Sequence, residues 1–181
     1  IKLIRKGVII INSCRGGVIK ESDLLENRSH FGGSIIDVWE NEPSLNLATL
    51  DFADLATPHI AGYSLEGKIK ATEMAYKNTC RFFGLEPTWI SPRYSDGEFK
   101  EISVESIEHD QVLLEAVEKV YDIFEDDATL RQYGHQVSPQ QFFRDLRRNY
   151  NFRREFSASV LNLKTEVSSK TVVLLQKLGF K

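Results

Sequence analysis

The sequence predicts an α/β protein whose first part contains a parallel sheet. Three short apolar segments, at 8–11, 34–38 and 54–57, alternate with two segments of helical character, at 21–27 and 43–50. Strand–helix–strand order is typical of right-handed crossovers, which join parallel strands. The first apolar segment is a continuous run of β-branched residues, so we expect a strand that is covered on both faces.

A long helix and a linker follow the predicted sheet. Ser64 is a suitable N-cap for a helix over Ser64–Phe83, and Gly84 is a suitable residue to end it. Pro, Ser, Asp and Gly then become frequent, which is typical of an irregular connection. The predicted organisation is residues 1–85, a linker at 86–97 and a second domain at 98–181.

The second half has the composition of a small α/β domain. Apolar residues alternate where a strand is predicted and recur at helical spacing where helices are predicted. One helix begins with Ser138-Pro139-Gln140-Gln141, which is a capping-box pattern with Pro at the first helical position. The predicted elements are a strand at 102–104, a helix at 113–124, an Arg-rich helix at 138–149, a strand at 159–163 and a helix at 168–178.

Composition limits the functions that the chain can have. Its 181 residues include 23 Lys and Arg against 26 Asp and Glu, a formal net charge of −3. This balance argues against nonspecific nucleic-acid binding through bulk positive charge. No apolar run reaches the roughly 18–20 residues that a transmembrane helix needs. The two cysteines, Cys14 and Cys80, form no disulfide framework or zinc pattern, which favours a reducing, cytosolic setting.

Polar residues directly follow each of the three predicted strands, at 12–17, 37–43 and 58–63. Ligands of open parallel sheets bind outside the carboxyl ends of the strands, so we expect these segments to share one site. They bring an Arg (Arg15), carboxylates and a His (His59). A His can exchange a proton near neutral pH, a carboxylate can orient it, and an Arg can bind a substrate carboxylate with two hydrogen bonds.

Each of these residues also has a plain structural interpretation. Arg15 could form a surface ion pair, His59 could have no chemical role, and Glu42 could interact with a helix dipole. The conjunction of the three at one sheet edge favours a site. Cys14 has no base near it in sequence, so a thiol that lines a cofactor is a plainer interpretation than a nucleophile.

An Arg cluster in the second half has two interpretations as well. It could bind phosphate or nucleic acid, but neighbouring acids such as Asp145 and Glu155 offset its charge, which favours a salt-bridged face or an interface. The other histidines have no ligand spacing between them, so no metal site is predicted. The Arg cluster comprises Arg144, Arg147, Arg148, Arg153 and Arg154, and the other histidines are His30, His109 and His135.

The motifs after the strands resemble the C-terminal signatures of NAD-dependent D-2-hydroxyacid dehydrogenases. The resemblance is carried by residues 12–16, Asp37-Val38-Trp39-Glu40-Asn41-Glu42-Pro43 and the stretch 56–68. The segment after Pro87 resembles the C-terminal extension of one branch of this family, which acts on a phosphorylated 2-hydroxy acid. The extension matches at Tyr121-Asp122, Asp126-Asp127, Leu130-Arg131, Arg148-Asn149-Tyr150, Arg153-Arg154-Glu155 and 177–180.

The resemblance implies a fold and an assembly. The chain would be the C-terminal half of a Rossmann-like parallel-sheet dinucleotide-binding domain, followed by a small α/β dimerisation domain. Its partners would be the small-molecule substrate and a second copy, bound through residues 98–181, with neither nucleic acid nor a membrane. The many aromatic residues of that segment agree with an interface.

The resemblance also implies a role for each site residue. Arg15 would bind the substrate carboxylate and 2-oxygen, His59 would take the hydroxyl proton, and Glu42 would hydrogen-bond His59. Tyr63 would reach the substrate. The residues that would contact NAD are Ser13, Cys14, Arg15, Asp37 and Gly62.

One motif of the family has no counterpart in these residues. The Gly-x-Gly-x-x-Gly loop that binds the cofactor phosphates does not occur in the 181 residues. We therefore expect the chain to be the C-terminal half of the enzyme, with the catalytic residues but only part of the cofactor site, and not to turn over alone. Two alternatives stay open: a dehydrogenase acting on phosphoglycerate, glycerate or lactate, and a non-catalytic module that senses dinucleotide or oligomerises.

Overall fold

The computed structural model describes residues 3–91, 99–151, 153–163 and 166–181. The chain folds into two compact units, and each unit is built from two stretches of sequence. These units differ from the predicted division at 85 and 98, because part of the second half packs with the first sheet. Residues 92–97 of the predicted linker, and residue 98 after them, lie outside the described residues. The first unit is Ile1–Ala61 with Ile123–Asn151, and the second is Gly62–Asp122 with Phe152–Lys181.

The sheet of the first unit has three parallel strands in the order β1-β2-β3. The strands are β1 (Val8–Asn12), β2 (Phe31–Ile36) and β3 (Leu55–Ala56). This confirms the parallel α/β prediction. Asn12 pairs with Ile36, and Ile36 pairs with Ala56, so the three strands end level with one another.

The prediction that β1 is covered on both faces is wrong for the described residues. Ile9 and Ile11 are 64% and 63% exposed, while Asn12 at the end of the strand is buried. β1 lies at an edge of the three-stranded sheet. A continuous apolar run shows that a strand has apolar side chains on both faces. It does not show which other elements pack against those faces.

Two short helices connect the strands of the first unit. Helix α1 (Glu21–Glu26) lies where it was predicted. Helix α2 spans Leu47–Phe52 and begins later than the predicted 43–50, because the Asn46 side chain caps it by accepting from Ala48 N at 3.0 Å. The preceding residues form a turn, in which Ser44 N donates to Asn41 O at 2.7 Å.

Helices α5 (Ile123–Leu130) and α6 (Pro139–Arg148), with the short 3-10 turn between them, complete the core of the first unit. Leu130 and Phe143 are almost fully buried and share a cluster with Ile36 of β2. Burying such a side chain contributes about 1.5–3 kcal/mol. Apolar burial therefore explains why this stretch packs with the first sheet. α6 begins at Pro139 as predicted, but Ser138 makes no side-chain cap.

Polar contacts attach α5 and the turn after it to the same sheet. Arg131 donates from its Nη atoms to Leu50 O at 3.2 Å and Ala53 O at 2.8 Å. Leu50 lies in the last turn of α2 and Ala53 directly follows the helix, where carbonyls lack helical donors. Arg131 Nε also binds Asp127 Oδ2 at 2.8 Å, and Asp127 Oδ1 accepts from the backbone N of Ala56 at 2.7 Å.

The second unit contains a long helix and a two-stranded parallel sheet, β4 next to β5. Apolar residues of β4, α4 and α7 form its core with Phe180, which stacks on Phe156 at 4.7 Å between ring centroids. The predicted strands and the helix at 168–178 are found here with small shifts in their ends. The predicted helix at 113–124 is wrong as a single helix, because α4 ends at Val120 and Phe124 lies on α5 of the first unit. The elements are α3 (Leu65–Phe83), β4 (Lys100–Val104), α4 (His109–Val120), β5 (Ser159–Leu163) and α7 (Ser169–Leu178).

The predicted caps of α3 are confirmed, and α7 has caps of the same kind. Ser64 Oγ accepts from Gly67 N at 3.0 Å at the start of α3, and Ser168 Oγ accepts from Thr171 N at 3.2 Å at the start of α7. Gly84 (φ 66°) and Gly179 (φ 107°) end these helices in the left-handed region that glycine adopts readily. Among the described helices, none has the length and apolar character needed to cross a membrane.

One carboxylate of the second unit is strongly stabilised in its charged form. Glu115 on α4 accepts a hydrogen bond from Lys119 Nζ at 2.6 Å and from Ser106 N at 2.9 Å. The bonds from Lys119, then from Ser106 and Glu105, lower the pKa of Glu115 to about 2. Glu115 thereby connects α4 to the chain that leaves β4.

Candidate active site

The loop after β1 presents Arg15 on the carboxyl edge of the sheet. The Asn12 side chain organises this loop, since its Nδ2 donates to Arg15 O at 3.3 Å and its Oδ1 accepts from Cys14 N at 3.3 Å. Ser13, Cys14 and Arg15 are exposed. The Arg15 guanidinium donates to Cys14 O at 2.6 Å.

Gly16 allows this loop to lie directly against the loop after β2. A Cβ atom at position 16 would lie 2.0 Å from Trp39 O and 2.6 Å from Glu40 N, distances that no real side chain tolerates. The adjacent Gly17 has open space at the same position. The close approach therefore requires glycine at 16 and fixes where Arg15 stands relative to the second loop.

Glu42 and His59 meet at the same edge. His59 Nδ1 lies 2.8 Å from Glu42 Oε2, and the two side chains are 25% and 20% exposed. Glu42 Oε1 accepts from Trp39 N at 2.9 Å, so both carboxylate oxygens are engaged. Trp39 Nε1 in turn donates to Thr57 O at 3.1 Å and ties the second loop to the third.

The backbone at His59 adopts a conformation that is unusual for a side chain of L configuration. Its φ is +58°, and among the described residues it is the one non-glycine with positive φ. Such a residue costs of order 1–3 kcal/mol and persists where its surroundings determine it. The turn is held on its carbonyl side as well, because Arg147 Nε donates to His59 O at 3.3 Å.

Asp37 lies inside this turn and organises it. Its Oδ1 accepts from Thr57 Oγ1 at 2.6 Å and from Ile60 N at 2.8 Å, and its Oδ2 accepts from Ala61 N at 3.1 Å. Asp37 is 5% exposed. The family resemblance implied a contact with the cofactor for Asp37, and nothing in the sequence indicated that this carboxylate binds the backbone next to His59.

Gly62 and Tyr63 belong to the second unit. A Cβ atom at Gly62 would meet nothing within 4 Å, so sterics do not require glycine there. The Lys68 ammonium lies 4.0 Å from the centroid of the Tyr63 ring, a cation–π distance. The contacts of both residues with cofactor or substrate stay predictions.

Three members of the Arg cluster, Arg147, Arg153 and Arg154, contact other groups of the protein, and the predicted salt-bridged face is found in part, at Arg154. Arg154 Nε donates to Glu66 Oε1 at 2.5 Å, and the Arg153 guanidinium lies 4.2 Å from the Tyr121 ring centroid. Burial raises the pKa of Glu66, but the bonds from Arg154 and from Glu155 N outweigh it and hold that pKa below its ordinary value. Arg144 and Arg148 are exposed on α6.

Comparison with known families agrees with this geometry. Residues 1–61 match the family model for the NAD-binding domain of D-isomer specific 2-hydroxyacid dehydrogenases, and residues 95–179 match a domain of unknown function, DUF3410. Residues 1–61, which lie in the first unit, are therefore similar to the NAD-binding domain of that family.

Over nearly its whole length, the chain is similar to proteins named erythronate-4-phosphate dehydrogenase. It is 38% identical to the one from Colwellia psychrerythraea, 37% to that of Escherichia fergusonii and 33% to that of a Marinomonas species. The alignments cover 96–99% of this chain but 44–47% of each relative. The chain therefore spans less than half the length of these curated relatives.

The first unit offers groups that fit a nicotinamide dinucleotide, the cofactor that the matched NAD-binding family uses. The level strand ends bring three loops to one edge, where such ligands bind in open parallel sheets. The exposed hydroxyl of Ser13, thiol of Cys14 and guanidinium of Arg15 stand on the first of these loops. Polar and cationic donors of this kind suit the polar groups of the cofactor.

Proposed function

We propose that this chain is the catalytic half of an erythronate-4-phosphate dehydrogenase. The reaction is the NAD-dependent oxidation of 4-phospho-D-erythronate to 2-oxo-3-hydroxy-4-phosphobutanoate, in pyridoxine (vitamin B6) biosynthesis. The observation that carries the proposal is the 2.8 Å contact between His59 Nδ1 and Glu42 Oε2, on the sheet edge that also bears Arg15. The relatives named above support the choice of substrate.

His59 acts as the general base in this proposal. With Nδ1–H donating to Glu42, the second ring nitrogen, Nε2, is the one that accepts the proton of the substrate 2-hydroxyl. The charge that then develops on the ring is stabilised by the Glu42 carboxylate. General base catalysis of this kind contributes about 10²–10⁴-fold to the rate.

Arg15 binds and orients the substrate. A guanidinium can donate two parallel hydrogen bonds to the carboxylate or to the carboxylate and the 2-oxygen, which fixes the C2 carbon in place. The chemistry that NAD supplies when bound is acceptance of the hydride from C2. The residues that would hold NAD are Ser13, Cys14, Arg15, Asp37 and Gly62, and Tyr63 would contact the substrate.

The proposal includes an assembly and a setting. We propose that the protein forms a homodimer through residues 98–181. Light scattering measures its oligomeric state. A truncation after Leu85 is not a suitable variant for this measurement. It would remove Leu130 and Phe143 from the core of the first unit, together with the proposed interface. Cys14 and Cys80 are free thiols, which agrees with a reducing, cytosolic setting.

The decisive assay measures NADH formation by the full-length protein that contains these 181 residues. The substrate panel is 4-phospho-D-erythronate, 3-phosphoglycerate, glycerate and lactate. Turnover that prefers 4-phospho-D-erythronate supports the proposal. Preference for one of the other acids would establish the alternative dehydrogenase, and binding of NAD without turnover of any acid would establish the sensing module.

A further inference from the structure

Residues 123–151 contact the backbone turns that carry both members of the Glu42–His59 pair. Tyr133 lies in the 3-10 turn between α5 and α6, and Arg147 lies near the end of α6. Both belong to the first unit, although they fall within the part of the sequence that matches a domain of unknown function. This placement gives that part of the sequence a direct connection to the candidate active site.

Tyr133 holds the turn that follows Glu42. Its hydroxyl donates to Pro43 O at 3.0 Å and accepts from Leu45 N at 3.0 Å, so one oxygen bridges two backbone groups of that turn. Pro43 is the next residue after Glu42. Tyr133 is only 4% exposed, and a backbone group buried there without a partner would cost about 1–3 kcal/mol. The bridge therefore restricts where the Glu42 carboxylate can stand.

Arg147 holds the carbonyl side of the His59 turn. Asp37 already fixes the amides that follow, at Ile60 and Ala61, while Arg147 Nε donates to the carbonyl of His59 itself. The peptide that follows His59 is thereby held at both of its polar atoms, at the oxygen by Arg147 and at the nitrogen by Asp37. A residue with positive φ persists where its surroundings hold it in this way. A charged donor suits this task, since charge-assisted hydrogen bonds are stronger than neutral ones.

We propose that Arg147 and Tyr133 are positioning residues for the Glu42–His59 pair. They contact backbone and not the reacting atoms, and they keep Nδ1 of His59 and Oε2 of Glu42 at hydrogen-bonding distance. The inference rests on the proposed function for its kinetic consequence, whereas its structural consequence is measurable without turnover.

The structural test is an NMR titration of the His59 ring in Arg147→Met, Arg147→Lys and Glu42→Gln variants. Among the described residues, Glu42 bonds to the His59 ring, and Asp37 and Arg147 bond to the turn that carries it. Losing the Arg147 charge alone would move the His59 titration to higher pH, because a nearby cation disfavours the imidazolium. Losing the contact with Glu42 moves it to lower pH.

If Arg147 positions the pair, the midpoint of the His59 titration in Arg147→Met moves to lower pH, in the same direction as in Glu42→Gln. Arg147→Lys, which keeps a charged donor, is expected to stay near the wild type. The matched control is Arg144→Met, an exposed arginine on the same helix, which should leave the titration unchanged. An unchanged or raised titration midpoint in Arg147→Met overturns the proposal.

The kinetic test separates kcat from KM in the active protein. Arg147→Met is expected to lower kcat by about 10- to 100-fold with little change in KM, because a displacement near 1 Å is enough to cost this much. Arg147→Lys should recover most of the loss. Tyr133→Phe provides a second variant, with the same kcat-selective loss expected and thermal melting used to show that it folds.

The two proposals fail differently. If the wild type oxidises no 2-hydroxy acid, the proposed function is wrong, and the NMR titration still decides whether Arg147 positions the pair. If the wild type is active and Arg147→Met matches it in kcat, the positioning proposal alone is wrong.

Discussion

His59 Nδ1 and Glu42 Oε2 lie 2.8 Å apart although the two residues are 17 positions apart in sequence. They meet because β2 and β3 are parallel neighbours that end in register, at Ile36 and Ala56. Each residue stands in the turn that leaves one of these strands. The contact thus follows from strand order, and the side chains of Asp37 and Arg147 hydrogen-bond to the turn that carries His59.

Replacing His59 by Ala removes the proposed general base. We expect kcat of the active protein to fall by about 10²–10⁴-fold, since that is the usual contribution of a positioned base. Steady-state NADH formation measures the effect. His135→Ala, at an exposed position, is the control and should keep wild-type kcat. Similar losses in both variants would contradict a specific role for His59.

Replacing Glu42 by Gln keeps the shape of the pair but removes its negative charge. A neutral amide stabilises the imidazolium less than a carboxylate does, so the unprotonated base persists to lower pH. The acid limb of the kcat/KM profile for oxidation should therefore move to lower pH. A profile that stays where it is would remove Glu42 from the mechanism.

Replacing Arg15 by Ala removes the proposed substrate clamp. We expect kcat/KM for the 2-hydroxy acid to fall strongly, because the guanidinium binds substrate in both ground and transition states. Arg15→Lys should recover only part of this, because an ammonium cannot make the bidentate contact. Full activity of Arg15→Ala would contradict the assignment.

Gly16→Ala tests the close approach of the first two loops. The added Cβ would lie 2.0 Å from Trp39 O, so backbone must move. We expect a loss of about 1–3 kcal/mol in the free energy of unfolding, which is typical of overpacking, and a fall in kcat/KM as Arg15 is displaced. Gly17→Ala is the matched control, because a Cβ there meets nothing within 4 Å. Equal thermal melting of the two variants would show that the loops separate easily.

Glu115 makes the stability of the second unit depend on pH. Its pKa is lowered from 4.5 to about 2 in the folded chain. Its contribution to the free energy of unfolding is therefore present above pH 4.5 and is lost as the pH falls towards 2. Glu115→Gln should therefore be less stable than the wild type near neutral pH, and the difference should shrink below pH 4.5. Chemical denaturation at several pH values measures this. Glu118→Gln, exposed on the same helix, is the control and should show no such trend.

Features that depend on element order were predictable from the sequence. The parallel strands, the long helix capped by Ser64 and the meeting of Glu42 with His59 all follow from local patterns and the rule that parallel strands end at one edge. The start of α2 was placed too early because the tight turn at Asn41–Ser44 and the Asn46 cap lie just before it.

Features that depend on distant partners were not predictable. Arg147 binds His59 O across 88 positions and Tyr133 binds Pro43 O across 90, so no local pattern relates them. Both lie in a segment whose periodicity indicated a separate domain. Tertiary packing of Leu130 and Phe143 against the first sheet decides their place, and sequence spacing carries no information on that choice.

The three bonds accepted by Asp37 have a consequence for local opening of the chain. The amides of Ile60 and Ala61 and the hydroxyl of Thr57 all donate to the buried carboxylate of Asp37. A movement of Asp37 that breaks one of these hydrogen bonds therefore weakens the other two. Segments tied in this way open together as one cooperative unit. The backbone amides of Ile60 and Ala61 should therefore exchange with solvent deuterium at a common, slow rate. The turn that carries His59 would then open and close as one unit.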